Sequence, residues 1–467
     1  MKVLRFSLYG LLALILVLAV VIAWGSRDAD SYDDRGLEAL ARPPIPAQDN
    51  GYRHIAYLLE EDFELSLSET ASCALQNRKT YAQWDPKELS ATLAANAAHF
   101  EALRSAAAAP HLQIPLPEDL WEFSSYQVLF DLYRLLILSS QHAIATGETG
   151  TGIATLQDAV LFAEAMKSHT GGVMIDYMIA LALQELVLEE MRRLAVAADL
   201  GISELRAMRS VFEEVPPYPE DAFDVVLANE FLYSKRFSED VFGGSLRHRL
   251  AGVWDRFEER RELFESYDPQ EPLPNLLLDE VLSALFAGYL WHHNANMQLI
   301  ADDFAHQVAQ TSRYCADLDF QGPGSGHEEG SAWGAYMPNG FFQEWGMAGL
   351  SMETFFKRRC ANNLHIEATR ATLALQEYAR REGDFPDTLK ALVPDYLVDL
   401  PLDSFDGQPL RYDASLAYLY SVGENYVDDG GAGTAIFVTS RDCFFEETCL
   451  SNPTFLIDRL PPESVDE

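Results

Sequence analysis

The sequence predicts a mainly α protein. It reads as an N-terminal transmembrane helix, an irregular α-helical bundle or helical-hairpin body, and a small C-terminal α+β module of one long helix and a short antiparallel sheet. Three observations predict this. An uncharged run of apolar residues starts at Phe6 and ends at Ser26. Apolar side chains then recur at three- and four-residue spacing through most of residues 52–310. Beyond Gly383 the pattern changes to short, strand-like stretches separated by polar turns.

Residues 11–24 are almost entirely aliphatic, and residues 6–26 are long enough to cross a bilayer as a helix. Lys2 and Arg5 precede them, whereas Asp28, Asp30, Asp33 and Asp34 outnumber Arg27 just after. The positive-inside bias therefore places the N-terminus in the cytoplasm and the remainder outside, as a single-pass inner-membrane protein with a periplasmic body. Val21 and Ala23 also allow a cleaved signal peptide, cut after Ala23, which would release the body as a secreted protein.

With 467 residues and 48% hydrophobic composition, the chain is able to bury a large core. Its 72 acidic side chains exceed its 34 Lys and Arg, giving a formal net charge of −38. That charge repels a phosphate backbone and excludes nucleic acid as a partner. It favours cations or basic proteins, or simply forms a solvated acidic surface.

Residues 27–50 carry Pro43, Pro44 and Pro46 and read as a linker. Residues 51–316 form the helical domain. Within it Ile153, Leu156, Val160 and Ala163 mark one apolar face, Ile179, Leu183, Leu186 and Leu194 the next, and Leu205, Met208 and Val211 a third. Glycines around 147–152 and at Gly201 separate these helices, so antiparallel hairpins are expected. No fixed repeat period is present. Residues 317–345 are glycine-rich and irregular, a junction before the module at 346–467. Their Gly322 to Gly330 run lacks the Gly-Lys-Ser/Thr ending of a phosphate loop.

The module begins with a helix over about 355–382, with Leu364, Ala368, Ala371, Leu375 and Tyr378 on one face and Gly383 as its stop. A short helix opened by Pro386 and closed by Pro394 follows. Residues 410–412 and 418–422 read as adjacent antiparallel strands, and 435–438 as a third. The order Gly383-Asp-Phe-Pro386, Leu389, Leu392, Pro394, Leu397, Leu400-Pro401-Leu-Asp403-Ser-Phe405-Asp-Gly407-Gln-Pro409, Tyr412, Tyr420-Ser-Val-Gly423 and Asp428-Asp429-Gly430-Gly431 carries a resemblance. Here the chain resembles the C-terminal part of the major pseudopilin of type II secretion systems. The whole chain is also similar to uncharacterised anchored envelope proteins with this ending.

The resemblance implies a long helix feeding a small antiparallel sheet whose terminal loop binds calcium. Asn425, Asp428 and Asp429 are the ligand candidates, since calcium requires several oxygen donors. Two departures are present: residues 434–438 carry no acid after the glycines, and the anchor lacks a processed glycine followed by phenylalanine and a nearby glutamate. A pilus subunit is therefore not expected.

Five cysteines fit an oxidising compartment without forming a disulfide scaffold. Cys443 and Cys449 are the first pair expected, Cys315 with Cys360 the second, and Cys73 is left over. No Cys-x-x-Cys is present.

A catalytic set is sought on the helix expected over about 277–309. There the stripe of Leu282, Leu285 and Tyr289 continues as His292, Asn296, Leu299, Asp303 and His306. His292 and His306 would stand about 20 Å apart along a straight helix, too far to share one metal ion. Neither His-Glu-x-x-His nor Gly-x-Ser-x-Gly nor Gly-x-Gly-x-x-Gly occurs. The expected function is a noncatalytic binding or scaffolding component of the cell envelope, with secretion as the process its ending suggests, with no resident cofactor and an envelope protein as partner. The alternative is an envelope hydrolase with a pocket at His292, Asn296, Asp303 and His306.

Overall fold

The computed structural model describes residues 29–41, 43–60, 62–115, 126–168, 172–215, 218, 222–242, 292–319, 352–428, 430–431 and 453–457. The expected anchor at 6–26, the expected strand at 435–438, Asp429, Cys443 and Cys449 lie outside these residues. No helix of the described residues is long and apolar enough to cross a membrane.

The described chain is mainly helical and divides into two compact units, which are taken separately. In chain order the α-helices are α1 (Leu37–Leu40), α2 (Tyr52–Ile55), α3 (Glu69–Gln76), α4 (Pro86–Ala107), α5 (Gln127–Ala145), α6 (Thr149–Ser168), α7 (Met174–Ala197), α8 (Ile202–Ser210), α9 (Phe223–Phe242), α10 (His293–Val308) and α11 (Met352–Glu382). Three strands follow, β1 (Arg411–Asp413), β2 (Tyr418–Tyr420) and β3 (Thr454–Leu456).

In the first unit, α10 receives the residues that precede and form α1. The Asp33 backbone N–H donates to Gln298 Oε1 at 2.8 Å, and Asn294 Nδ2 donates to the Ala29 carbonyl at 2.7 Å. Arg35 Nε donates to Asp302 Oδ1 at 2.6 Å. Lys235 of α9 pairs with Glu38 at 2.6 Å, and Phe231 meets Phe304 edge-on. The start of the segment read as a linker thus lies along a helix. Its remainder is fixed within the second unit, where Gln113 accepts from the Ile45 N–H at 2.6 Å and donates to the Pro43 carbonyl at 3.1 Å.

The second unit contains the helical hairpins. Asp85 caps α4 by accepting from the N–H groups of Lys87 and Glu88, with Pro86 opening the helix. Gly147, at φ 89°, turns α5 into α6. Gly152 was expected in that turn but lies inside α6. A Cβ there would meet the Ser140 carbonyl oxygen at 2.7 Å, so glycine permits α5 and α6 to approach this closely. Ile153, Leu156, Val160 and Ala163 are all buried, as are Leu183, Leu194, Leu205, Met208 and Val211. The helical-bundle expectation is met.

Helix α11 serves two clusters. Ile366 and Leu373 join the core of the hairpins, whereas Leu364, Ala368, Ala371 and Leu375 pack with Leu389, Leu392, Tyr396, Phe405, Leu419 and Phe455. Each fully buried Leu contributes about 1.5–3 kcal/mol relative to exposure. Gly383, at φ 91°, ends α11, and its N–H donates to the Ala379 carbonyl. The short helix expected from Pro386 is a 3₁₀ turn at Leu389–Leu392.

Strands β1 and β2 pair antiparallel with Tyr412 opposite Leu419, matching the expected hairpin. The third described strand is β3, which pairs Phe455 with Leu419. Cys315 and Cys360 form a disulfide, the second of the two expected pairings, and Cys73 is free and exposed.

Candidate functional site: a buried charged cluster

Three helices of the second unit carry charge into its core. Glu164 and Lys167 share a face of α6, Gln184, Glu185 and Arg192 lie on α7, and Arg358, Asn362, His365 and Thr369 recur on α11 at spacings of four, three and four. All but His365 are under 9% exposed, and desolvation dominates the His365 imidazole as well. Buried polar groups require partners.

Lys167 Nζ lies 2.9 Å from Glu164 Oε2, 2.9 Å from Gln184 Oε1 and 3.4 Å from Asn362 Oδ1. Gln184 Nε2 donates to Glu164 Oε2 at 3.1 Å, and Asn362 Nδ2 donates to the Leu181 carbonyl at 3.2 Å. Arg192 donates Nη1 to Thr369 Oγ1 at 2.6 Å and Nη2 to His365 Nδ1 at 3.0 Å. Because a guanidinium only donates, His365 accepts at Nδ1 and carries its proton on Nε2. Phe455 of β3 covers both residues, with its ring edge-on to His365 at 5.4 Å and 5.0 Å from the Arg192 guanidinium carbon.

Burial governs the protonation of this cluster. It pushes Glu185 up to about 7 against the opposing pull of Arg358 and Arg192. It also holds His365 well below the usual imidazole range, reinforced by Arg192 and Arg358. Burial lowers Arg192 to about 10. Near the start of α7, burial raises Asp176 to about 6, although its carboxylate accepts from the Tyr126 hydroxyl and from the Val173 N–H at 2.8 Å. The cluster therefore pairs a carboxyl that exchanges its proton near neutrality with an imidazole held neutral.

Stability follows with a definite sign. Folding raises the Glu185 and Asp176 values, so their contributions are full below about pH 4 and are lost as pH rises towards 7, each on the order of 3 kcal/mol. His365 acts oppositely, and its contribution is lost as pH falls below about 6.5. The variant Glu185→Gln should flatten the decline in unfolding free energy between about pH 5 and 7, measured by urea denaturation across a pH series. An unchanged slope would remove Glu185 from this account.

The four candidates on α10 are placed differently. His292 precedes the helix with extended backbone, so α10 begins at His293. Asn296 is buried and donates to the His292 carbonyl at 2.7 Å. His306 Nε2 donates to the Asp319 carbonyl at 2.9 Å. Asp303 is raised by burial, with Gln307 and His306 acting in the other direction. Asn296 is thus brought to the His292 backbone and Asp303 to His306, while His292 and His306 stay at opposite ends of the helix.

Asn425 accepts from the Val427 N–H at 2.9 Å, and Asp428 accepts from the Gly430 N–H at 3.2 Å. Arg411 brings its guanidinium within 3.8 Å of Asp428 and also pairs with Asp403 and Asp406. Positive charge is therefore supplied at this loop, Asn425 and Asp428 each form an Asx turn, and Asp429 lies outside the described residues. Among the described residues no group of three or more His, Cys, Asp or Glu is arranged to hold a metal ion.

The buried cluster was absent from the sequence-based candidates. Its signal is the spacing of 358, 362, 365 and 369 on α11, together with charges inside the apolar helices α6 and α7. Comparison with protein-family models, curated proteins and solved structures finds no match.

Proposed function

We propose that this chain is a noncatalytic binding or scaffolding component of the cell envelope, held by residues 6–26 as a single-pass inner-membrane anchor with its body in the periplasm. In this reading the C-terminal residues form a rigid, pseudopilin-like end piece and an envelope protein is the partner. The observation that carries it is the sharing of α11 between two cores, which ties the helical hairpins and the small sheet into one block. The disulfide between Cys315 and Cys360 reinforces that block and suits an oxidising compartment. The hydrolase alternative has less support, because Asn296 and His306 are engaged with backbone carbonyls.

Topology is tested by reporter fusions placed after Trp24. A periplasm-specific reporter should be active and a cytoplasm-specific one silent; the reverse would overturn the anchored reading. Crosslinking in native membranes should then trap one discrete envelope protein, and its absence across several crosslinker lengths would count against scaffolding.

A further inference from the structure

In the second unit, a cavity of about 250 Å³ lies between α8, the 3₁₀ turn at Val211–Glu213, α11 and the loop after Leu389–Leu392. Phe212, Ile366, Leu397 and Val398 give it an apolar lining, and Arg209 and Arg370 stand in its wall. Val398 is 79% exposed, an aliphatic side chain facing water beside two guanidinium groups.

Neither arginine is saturated by its acidic neighbour. Arg209 reaches Glu377 through Nη2 at 3.0 Å, while its Nε is shielded from water and has no acceptor among the described residues. Arg370 donates Nη1 to Glu367 at 2.6 Å. A guanidinium carries five donors in a planar fork suited to a carboxylate, so each has donors beyond these bonds. Glu213 and Glu367 line the same cavity and would repel a second negative charge.

We propose that this cavity binds a small monocarboxylate with an aliphatic body. The carboxylate takes the free donors of Arg370, with Arg209 adding positive charge from the cavity wall, and the aliphatic part covers Ile366, Leu397 and Val398. The volume accommodates one branched or short linear chain, and the flanking acids exclude dianions such as phosphate. Two sources present this chemistry, the free C-terminus of a peptide ending in an aliphatic residue and a short fatty acid. The proposal does not rest on the membrane anchor and survives if that reading fails.

The test is calorimetric titration of the full chain in lipid nanodiscs, with N-acetyl-leucine, octanoate, N-acetyl-leucinamide and inorganic phosphate as probes. One or both acids should bind, and the amide should bind at least about tenfold more weakly than its acid. Arg370→Gln should weaken acid binding by about tenfold, and Val398→Asp should abolish it through like-charge repulsion. Val398 is exposed, so V398D should melt near the wild type and separates loss of binding from loss of fold. Binding of N-acetyl-leucine alone identifies a peptide terminus, and binding of octanoate alone identifies an acyl chain. Equal binding of acid and amide, tighter binding of phosphate, or no binding of either acid at concentrations on the order of 10 mM would overturn the proposal.

Discussion

Replacing Lys167 with methionine should lower the unfolding free energy by about 3–5 kcal/mol, because it leaves the Glu164 carboxylate buried without its cation. The ammonium is 3% exposed and its partner 7%, so solvent offers little screening. The change also removes a donor from Gln184 Oε1 and Asn362 Oδ1. The double variant Glu164→Gln/Lys167→Met should recover much of the loss, since removing both charges also removes both desolvation costs. Urea denaturation of the four proteins of this cycle measures the coupling. A single-variant loss below about 1 kcal/mol would mean that water reaches the pair.

Asp403→Ala should be comparably damaging, again about 3–5 kcal/mol. Asp403 is fully buried and accepts from the N–H groups of Phe405 and Val422 at 3.0 Å each, from Ser421 Oγ at 2.9 Å and from Arg411 at 2.8 Å. Alanine strands the Phe405 and Val422 N–H groups and the Ser421 hydroxyl, and leaves Arg411 to Asp406, at the point where the loop before β1 meets the end of β2. Asp403→Asn retains an acceptor but loses the charge facing Arg411, and a smaller loss is expected. Hydrogen exchange should show faster opening of residues 403–422 in Asp403→Ala, with α4 to α6 less affected. Uniform acceleration across the unit would instead place Asp403 in the global fold.

Periodicity made much of the architecture legible. Apolar positions in α6, α8 and α11 repeat with the helix and are buried, and alternating residues at 411–413 and 418–420 form the expected hairpin. The charged cluster was harder to read because a polar stripe on one helix looks the same whether it faces water or another helix. On α11, Asn362, His365 and Thr369 meet Lys167 and Arg192, which lie far away in sequence. The stripe from His292 to His306 has similar spacing, yet its Asn296 and His306 meet backbone carbonyls. Cys315 and Cys360 are 45 residues apart and meet because the segment at Cys315–Asp317 packs on α11.

Strand β3 bears on how this chain matures. Phe455 covers Arg192 and His365, and Gln376 donates to the Ile457 carbonyl across 81 positions of sequence. As synthesis runs from α6 towards β3, the charges of α7 and α11 are assembled before their aromatic cover exists. A nascent or truncated chain ending before Phe455 would therefore present a wet, highly charged seam, open to proteases until the final strand docks.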